Sequence, residues 1–216
     1  MIYGKKLKFG DTIGLIAPSG AMRTEGAIER AVAETERMGF KVTAEVCPHH
    51  FAMCDEDITE DASMFKMNPP LRGKEDVKAL IEGLLDGTME VISTDHAPHS
   101  AEEKSGSMIG SPFGIVGSET AYALSNTVLV KEYGMSPMQL AKCMSYNPAK
   151  VLGRDKEIGG LAEGYFADIA IVAPEEEYVI NPEEFLSKGR NTPFGGKMVK
   201  GRVYMTICEG TVTYER

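Results

Sequence analysis

The sequence predicts an α/β protein that opens on a βαβ unit and closes on a small β domain. Three observations carry this expectation. Apolar runs of strand length alternate with stretches of helical spacing as far as about residue 152. A glycine stands where each of the first two predicted helices must stop, at Gly39 and Gly87. After Gly153 the chain changes to short extended runs separated by Gly and Pro turns.

The first element is the apolar run Thr12 to Ala17, which reads as a strand and is followed by a Pro18-Ser19-Gly20 turn. A helix is expected from about Thr24 to Met38, with Thr24 as its N-cap and Ala27, Ile28, Ala31, Val32 and Thr35 on one face. Gly39 ends it, and Phe40 to Val46 resumes an extended pattern, so a right-handed crossover between parallel strands is the natural assembly. A second helix is predicted over Lys74 to Asp86, where Val77, Leu80, Ile81, Leu84 and Leu85 fall at helical spacing. The strand Met89 to Thr94 follows and ends on Asp95-His96. Polar groups at the C-terminal end of a strand are where α/β folds usually site their chemistry. Ser100 to Ser111 reads as a small polar loop able to cover a site, and Gly117 to Tyr133 and Ser136 to Leu152 as two helices. The β domain is expected from Ala167 to Val172, Gly201 to Cys208 and Gly210 to Tyr214.

With 216 residues, 43% of them hydrophobic, the chain buries a real core. A formal net charge of −9 and the lack of any Lys/Arg-dense stretch argue against nucleic acid or an anionic membrane as a partner. No run approaches the roughly 18 apolar residues of a membrane span, and the first residues lack a signal-peptide core, so a cytoplasmic location is the expectation. The four cysteines, Cys47, Cys54, Cys143 and Cys208, form no close CxxC pair and suggest neither a disulfide framework nor a thiolate zinc site. The thirteen methionines are spread over several elements and read as core filler. Ser19 reads as a turn serine, since no G-x-S-x-G elbow surrounds it.

All four histidines lie in two short stretches, Cys47-Pro48-His49-His50 and Thr94-Asp95-His96-Ala97-Pro98-His99. A hydrolytic zinc site needs about three His or carboxylate ligands and a water, and Asp95 at a strand end suits such a role. The same residues also read as a turn or cap in which Asp95 accepts backbone N–H bonds, and His49 and His50 as packed loop histidines. Asn68-Pro69-Pro70-Leu71-Arg72 offers an amide and a cation on a rigid turn.

From about Lys41 onward the chain resembles the C-terminal portion of bacterial dihydroorotases of the amidohydrolase superfamily. The resemblance rests on TAEVCPHHF (43–51), FKMNPPLR (65–72), ALIEGLLDGT (79–88), STDHAPHS (93–100), SPFGIVGSETA (111–121), NPAKVLG (147–153), ADIAIV (167–172) and RNTPFGGKMVKGRV (190–203), in that order. It implies a (β/α)8 TIM-type barrel, of which this chain supplies the last strands over 43–153, plus a small C-terminal β-sandwich domain over 154–216. The activity implied is zinc-dependent hydrolysis of the ring amide of dihydroorotate, reversible from carbamoyl-aspartate in pyrimidine synthesis. Asp95 of TDHAPH would bind zinc and carry the proton, as catalytic residue and metal ligand together. His99, Asn68, Phe113 and Gly114 would hold the substrate. His49 and His50 match the family's PHH motif but not its zinc-binding histidines.

The family's H-x-H pair, its bridging acid or modified lysine and the histidines of strands five and six find no counterpart, so Asp95 alone remains of the metal shell. Residues 1–42 instead resemble the opening βαβ unit of the LD-carboxypeptidase family of serine peptidases, in KKLKFGDTIGLIAPSG and the helix ending MGFKV, without that family's catalytic residues. A fusion at about Gly39 to Val42 is expected. These readings together make the chain a dihydroorotase relative, inactive by itself, either complemented by another chain or serving as a non-catalytic subunit. The strand edges of a partial barrel predict self-association or pairing with another chain.

Overall fold

Two three-stranded sheets of opposite character organise this computed structural model, which describes residues 12–15 and 27–216. The Pro18-Ser19-Gly20 turn, the rest of the first apolar run and the Thr24 cap lie outside the described residues.

The first sheet is parallel, in the order β1 (Thr12–Leu15), β2 (Lys41–Val46), β3 (Val91–Ile92). Ile13 stands opposite Val42 and Glu45 opposite Val91. Helix α1 (Ala27–Arg37) links β1 to β2. It stops where expected: Gly39 takes a φ of 82°, which a side chain would strain, and its N–H donates to the Glu36 carbonyl at 2.8 Å. A short helix, α2 (Pro48–Ala52), starts two residues after β2 with Pro48 in its first turn. Helix α3 occupies Lys74–Asp86, the expected span, and ends on Gly87 at φ 89°. The strand expected over 89–94 pairs only at Val91 and Ile92.

The two helices expected over 117–133 and 136–152 form as two rods. The first is α4 (Ala121–Ser125) continued by π-helical Asn126–Glu132. The second runs α5 (Pro137–Ala141), π-helical Lys142–Tyr146 and α6 (Asn147–Val151), and the Ser136 hydroxyl caps its start by accepting from the Gln139 N–H at 3.1 Å. No helix among the described residues is long and apolar enough to cross a membrane.

The C-terminal sheet is antiparallel, in the order β4 (Ile169–Val179), β5 (Met198–Cys208), β6 (Thr211–Glu215). Strands β4 and β5 are longer than the sequence pattern indicates, and register shifts after Ile171 and Ala173 break the alternation that would have shown the full length of β4.

Two apolar cores result. One packs Val46, Phe51, Ile81, Leu84, Ile92 and Leu129, joining the parallel sheet to α2, α3 and the first rod. The other packs Met67, Ile115, Leu124, Ile180, Phe194 and Val199, joining the loops beyond the parallel sheet to β5. Asn126 ties the same parts together, its side-chain amide donating to the Pro174 and Lys200 carbonyls at 2.9 and 3.0 Å. The C-terminal sheet thus shares a core with the helical part.

Candidate functional site

Beyond β3 the backbone turns at Asp95, whose φ of 46° an aspartate tolerates better than most residues, and whose carboxylate is exposed at the mouth of the sheet. The next residues run beside Ile115: Ala97 donates its N–H to the Ile115 carbonyl at 2.9 Å, and His96 pairs with Ile115 as an isolated parallel bridge. His96 Nδ1 accepts from the Gly117 and Ser118 N–H groups, both at 3.2 Å. An atom that accepts two N–H bonds bears no proton, so the neutral His96 ring carries its hydrogen on Nε2.

His99 Nε2 lies 2.9 Å from the Phe113 carbonyl oxygen. A carbonyl only accepts, so this nitrogen is the donor, and the ring is fixed with Nδ1 facing Glu103 at 3.7 Å. Gly114 follows with φ 104°, and a Cβ there would stand 2.3 Å from the Ala97 Cβ. Only glycine lets these two backbones approach so closely.

Asn191 holds the arrangement. It is 2% exposed; its side-chain carbonyl accepts the His99 N–H at 2.8 Å, and its amide donates to the Ala97 and Gly114 carbonyls at 3.0 and 3.2 Å. Its own backbone carbonyl accepts the Val116 N–H. From the other side, the Lys66 ammonium sits 4.6 Å from the Phe113 ring centroid and donates to the Ser111 carbonyl, while the Lys66 carbonyl accepts the Gly114 N–H. The expected covering loop is anchored to the segments beside it: Lys104 is buried and donates to the Ser63 and Pro112 carbonyls at 2.8 and 3.0 Å.

Of the residues singled out in the sequence, Asp95, His99, Phe113 and Gly114 therefore lie on two loops fastened to each other. Asn68 is exposed on the neighbouring segment, two residues past Lys66. Asn191, which no local signal marked, is the fastener.

A second cluster lies where β2 gives way to α2. Cys47 Sγ and one ring nitrogen each of His49 and His50 lie within 4.8 Å of one another. Cys47 contacts the Ser93 hydroxyl at 3.6 Å, and His50 Nε2 donates to the Pro69 carbonyl at 2.7 Å. Burial pushes the Cys47 thiol up to about 11, with the Asp95 and Glu45 carboxylates adding to the rise. Burial pulls His49 down to about 3, helped by His50. His50 is pulled down as well, again by burial, with the Pro69 hydrogen bond and the Asp95 charge opposing. Both imidazoles are therefore neutral at pH 7. Cysteine spacing suggests no thiolate zinc site, and it does not reveal that the strand-to-helix turn at Pro48 brings Cys47 beside the two histidines.

The model of the amidohydrolase family matches residues 46–213. The chain belongs to the amidohydrolase family. This amidohydrolase is 52% identical over 185 residues to a dihydroorotase of Fusobacterium nucleatum, covering 86% of the chain and 43% of that relative. It is 50% identical over 193 residues to a dihydroorotase of Bacillus cereus, covering 89% of the chain and 44% of the relative. A match of that extent reaches back into α1. The chain spans less than half the length of these curated relatives. Among solved structures it superposes on the L-hydantoinase (dihydropyrimidinase) of Arthrobacter aurescens with TM-score 0.79 at 26% identity, covering 86% of the chain and 42% of that structure. On the dihydropyrimidinase of Brevibacillus agri it does so with TM-score 0.77 at 24% identity, a likeness of fold, covering 86% of the chain and 42% of that structure. These neighbours fit an α/β fold of TIM type.

The family is generally metal-dependent, which raises the question of whether the residues present fit a catalytic zinc. They do not. Among the described residues no group of three His, Cys or carboxylate donors gathers around Asp95, whereas an open zinc site takes about three protein ligands. The cluster at Cys47 has another donor set and another position.

Proposed function

We propose that this amidohydrolase supplies the closing strands and the substrate-side loops of a dihydroorotase, an enzyme that interconverts dihydroorotate and N-carbamoyl-aspartate in the cytoplasm. On this reading the parallel sheet is the last part of a barrel, the C-terminal sheet is part of a β-sandwich, and the chain divides at about 153, while a division at about 42 would fall inside the stretch that is similar to dihydroorotases. The observation that carries the proposal is the Asn191 clamp. It fastens the backbones at His99 and Gly114 to each other, with the His99 ring bonded to the Phe113 carbonyl, a few residues past Asp95 at the C-terminal end of β3. The identity to dihydroorotases supports the choice of substrate.

Opening the ring amide needs a proton removed from the attacking water and one delivered to the leaving ring nitrogen. Asp95 serves both transfers, first as general base and then as general acid, because its carboxylate is the exposed titratable group at the sheet mouth. His99, held through Nε2 and the Asn191 contact to its backbone, helps to orient the anionic substrate, with Asn68 and the Phe113–Gly114 backbone completing the cradle. No step is assigned to zinc, since the donor set for a catalytic zinc is incomplete. For the same reason a polypeptide of these 216 residues alone is expected to be silent and to need the missing part of the barrel from a second chain. That second chain or a homo-oligomer is its partner on this reading. The peptidase reading of residues 1–42 has no support from the site.

The test is complementation. The purified chain is mixed with the portion of the F. nucleatum dihydroorotase that the match leaves uncovered, and dihydroorotate hydrolysis is followed. The chain alone should show no turnover, the mixture should, and Asp95→Ala should lower the mixture's rate by about 10²-fold or more. A mixture that forms a folded complex yet stays inactive would overturn the reading, as would turnover untouched by Asp95→Ala.

A further inference from the structure

We propose that Cys47, His49 and His50 form a binding site for a thiophilic divalent cation, zinc above all, a proposal that stands independently of the hydrolase reading.

The argument starts with the donors. One sulfur and two imidazole nitrogens within 4.8 Å of one another are a borderline-soft set of the kind zinc prefers to calcium or magnesium. A tetrahedral zinc with Zn–S near 2.3 Å and Zn–N near 2.0 Å needs donor separations of roughly 3.3–3.7 Å. The observed spread closes to that with shifts of about 1 Å, within reach of small side-chain rotations.

The orientation of His50 fits the role. Its Nε2–H is committed to the Pro69 carbonyl, so the lone pair of its neutral ring is on Nδ1. Metal-binding histidines are characteristically held by such a bond from the far nitrogen to a carbonyl. His49 supplies the independent sign. It is 2% exposed, and its Nε2 is buried with no hydrogen-bond partner among the described residues. A buried imidazole nitrogen left unpaired costs free energy that a ligand recovers. Cys47 must release its proton to the solvent as the cation binds, a step that its burial opposes and the cation's charge favours, and its present contact, Ser93 at 3.6 Å, is weak. Three protein donors leave the fourth position to water. The site lies at the end of β2, so a bound cation would tie that strand end to α2 and, through His50, to the Pro69 turn.

Cobalt(II) in place of zinc reads the site without reference to activity. Titrating the chelator-stripped full chain should give one equivalent of binding and a thiolate-to-cobalt charge-transfer band that zinc abolishes. Cys47→Ser should remove the band and weaken binding by at least about tenfold. His49→Gln should weaken binding to a similar degree, and Cys208→Ser, at an exposed thiol remote in sequence, should leave both unchanged. To separate loss of the site from loss of the fold, alkylation of the unsubstituted chain is followed in parallel: zinc should protect Cys47 and spare Cys208. No charge-transfer band, a band that survives Cys47→Ser, or equal alkylation of Cys47 with and without zinc would each overturn the proposal.

Discussion

A single side chain, Asn191, holds the candidate site together, and it illustrates how burial turns modest hydrogen bonds into consequential ones. Its three side-chain bonds satisfy the Ala97 and Gly114 carbonyls and the His99 N–H. Truncation would leave these groups without partners in a buried place, where each costs about 1–3 kcal/mol. Asn191→Ala is therefore expected to lower stability by roughly 2–4 kcal/mol in urea denaturation at constant m-value; a loss under about 0.5 kcal/mol would show that water replaces the amide freely. Gly114 tests the same contact sterically. Gly114→Ala brings a Cβ to 2.3 Å from Ala97 Cβ at a backbone φ of 104°, two separate faults. The pair Ala97→Gly/Gly114→Ala removes the clash and keeps the strained φ, so it should recover only part of the lost stability, leaving about 1 kcal/mol or more. Full recovery would show that φ at 114 carries no cost. This part of the site was partly legible in the sequence. Asp95 and His99 were visible because they follow a strand end directly, and Phe113 and Gly114 through a family motif. Asn191 was not, because its partners Gly114 and Ala97 are 77 and 94 residues away and only the folded chain joins them.

Elements were legible to the extent that a repeated pattern and a stop signal agreed. Helix α3 has both, an apolar face ending at Leu85 and then Gly87, and it appears over the expected residues. Helix α2 has five residues, too few for any periodicity, and the π-helical stretches leave the apolar spacing of a rod unchanged to the eye. The helices also complete one another in ways no pattern encodes. The Gln139 side chain of α5 donates to the Leu84 and Leu85 carbonyls at 3.0 and 2.9 Å, capping the end of α3 from outside. Gln139→Ala should cost about 1–2 kcal/mol, and Gln139→Glu, which cannot donate, at least as much; a neutral Gln139→Glu would show that these carbonyls find water. The C-terminal sheet carries a pH signature. Burial raises the Tyr178 phenol above its usual value although the Arg202 guanidinium, 4.0 Å from the ring centroid, works against the rise. A phenol harder to ionise when folded contributes stability that is intact below the unfolded value of about 10 and lost as pH climbs through the folded one. Tyr178→Phe keeps the ring over Arg202 and removes the ionisation, so the stability of this variant should fall less steeply above about pH 10 than that of the parent. Parallel slopes would place the alkaline loss in other tyrosines.

At the scale of the molecule, the unusual feature is a parallel sheet of three strands. Parallel strands occur almost only where both faces are covered and, in barrels, where the edges are closed. Among the described residues β1 and β3 are both edges, and β3 pairs with β2 alone. Over β2 and β3 lies a groove lined by Thr43, Glu45, Val91, Ile92, Met144 and Leu152 among others, with Leu152 69% exposed. An unpaired strand edge with exposed apolar side chains such as Leu152 near it attracts another strand, so chains of this sequence should associate, and a net charge of −9 should oppose them. The balance depends on salt. At low ionic strength the repulsion reaches across a Debye length of about 30 Å and favours single chains; near 0.15 M it is screened within about 8 Å and the groove decides. Light scattering across a salt series should therefore show the mean mass rising with salt and with protein concentration. Leu152→Glu, which puts charge into the groove without touching the buried core, should hold the mass near that of one chain under all of these conditions. If the parent itself remains monomeric at high salt, then this edge is already satisfied within the chain, and the case for a complementing partner would have to rest on chemistry alone.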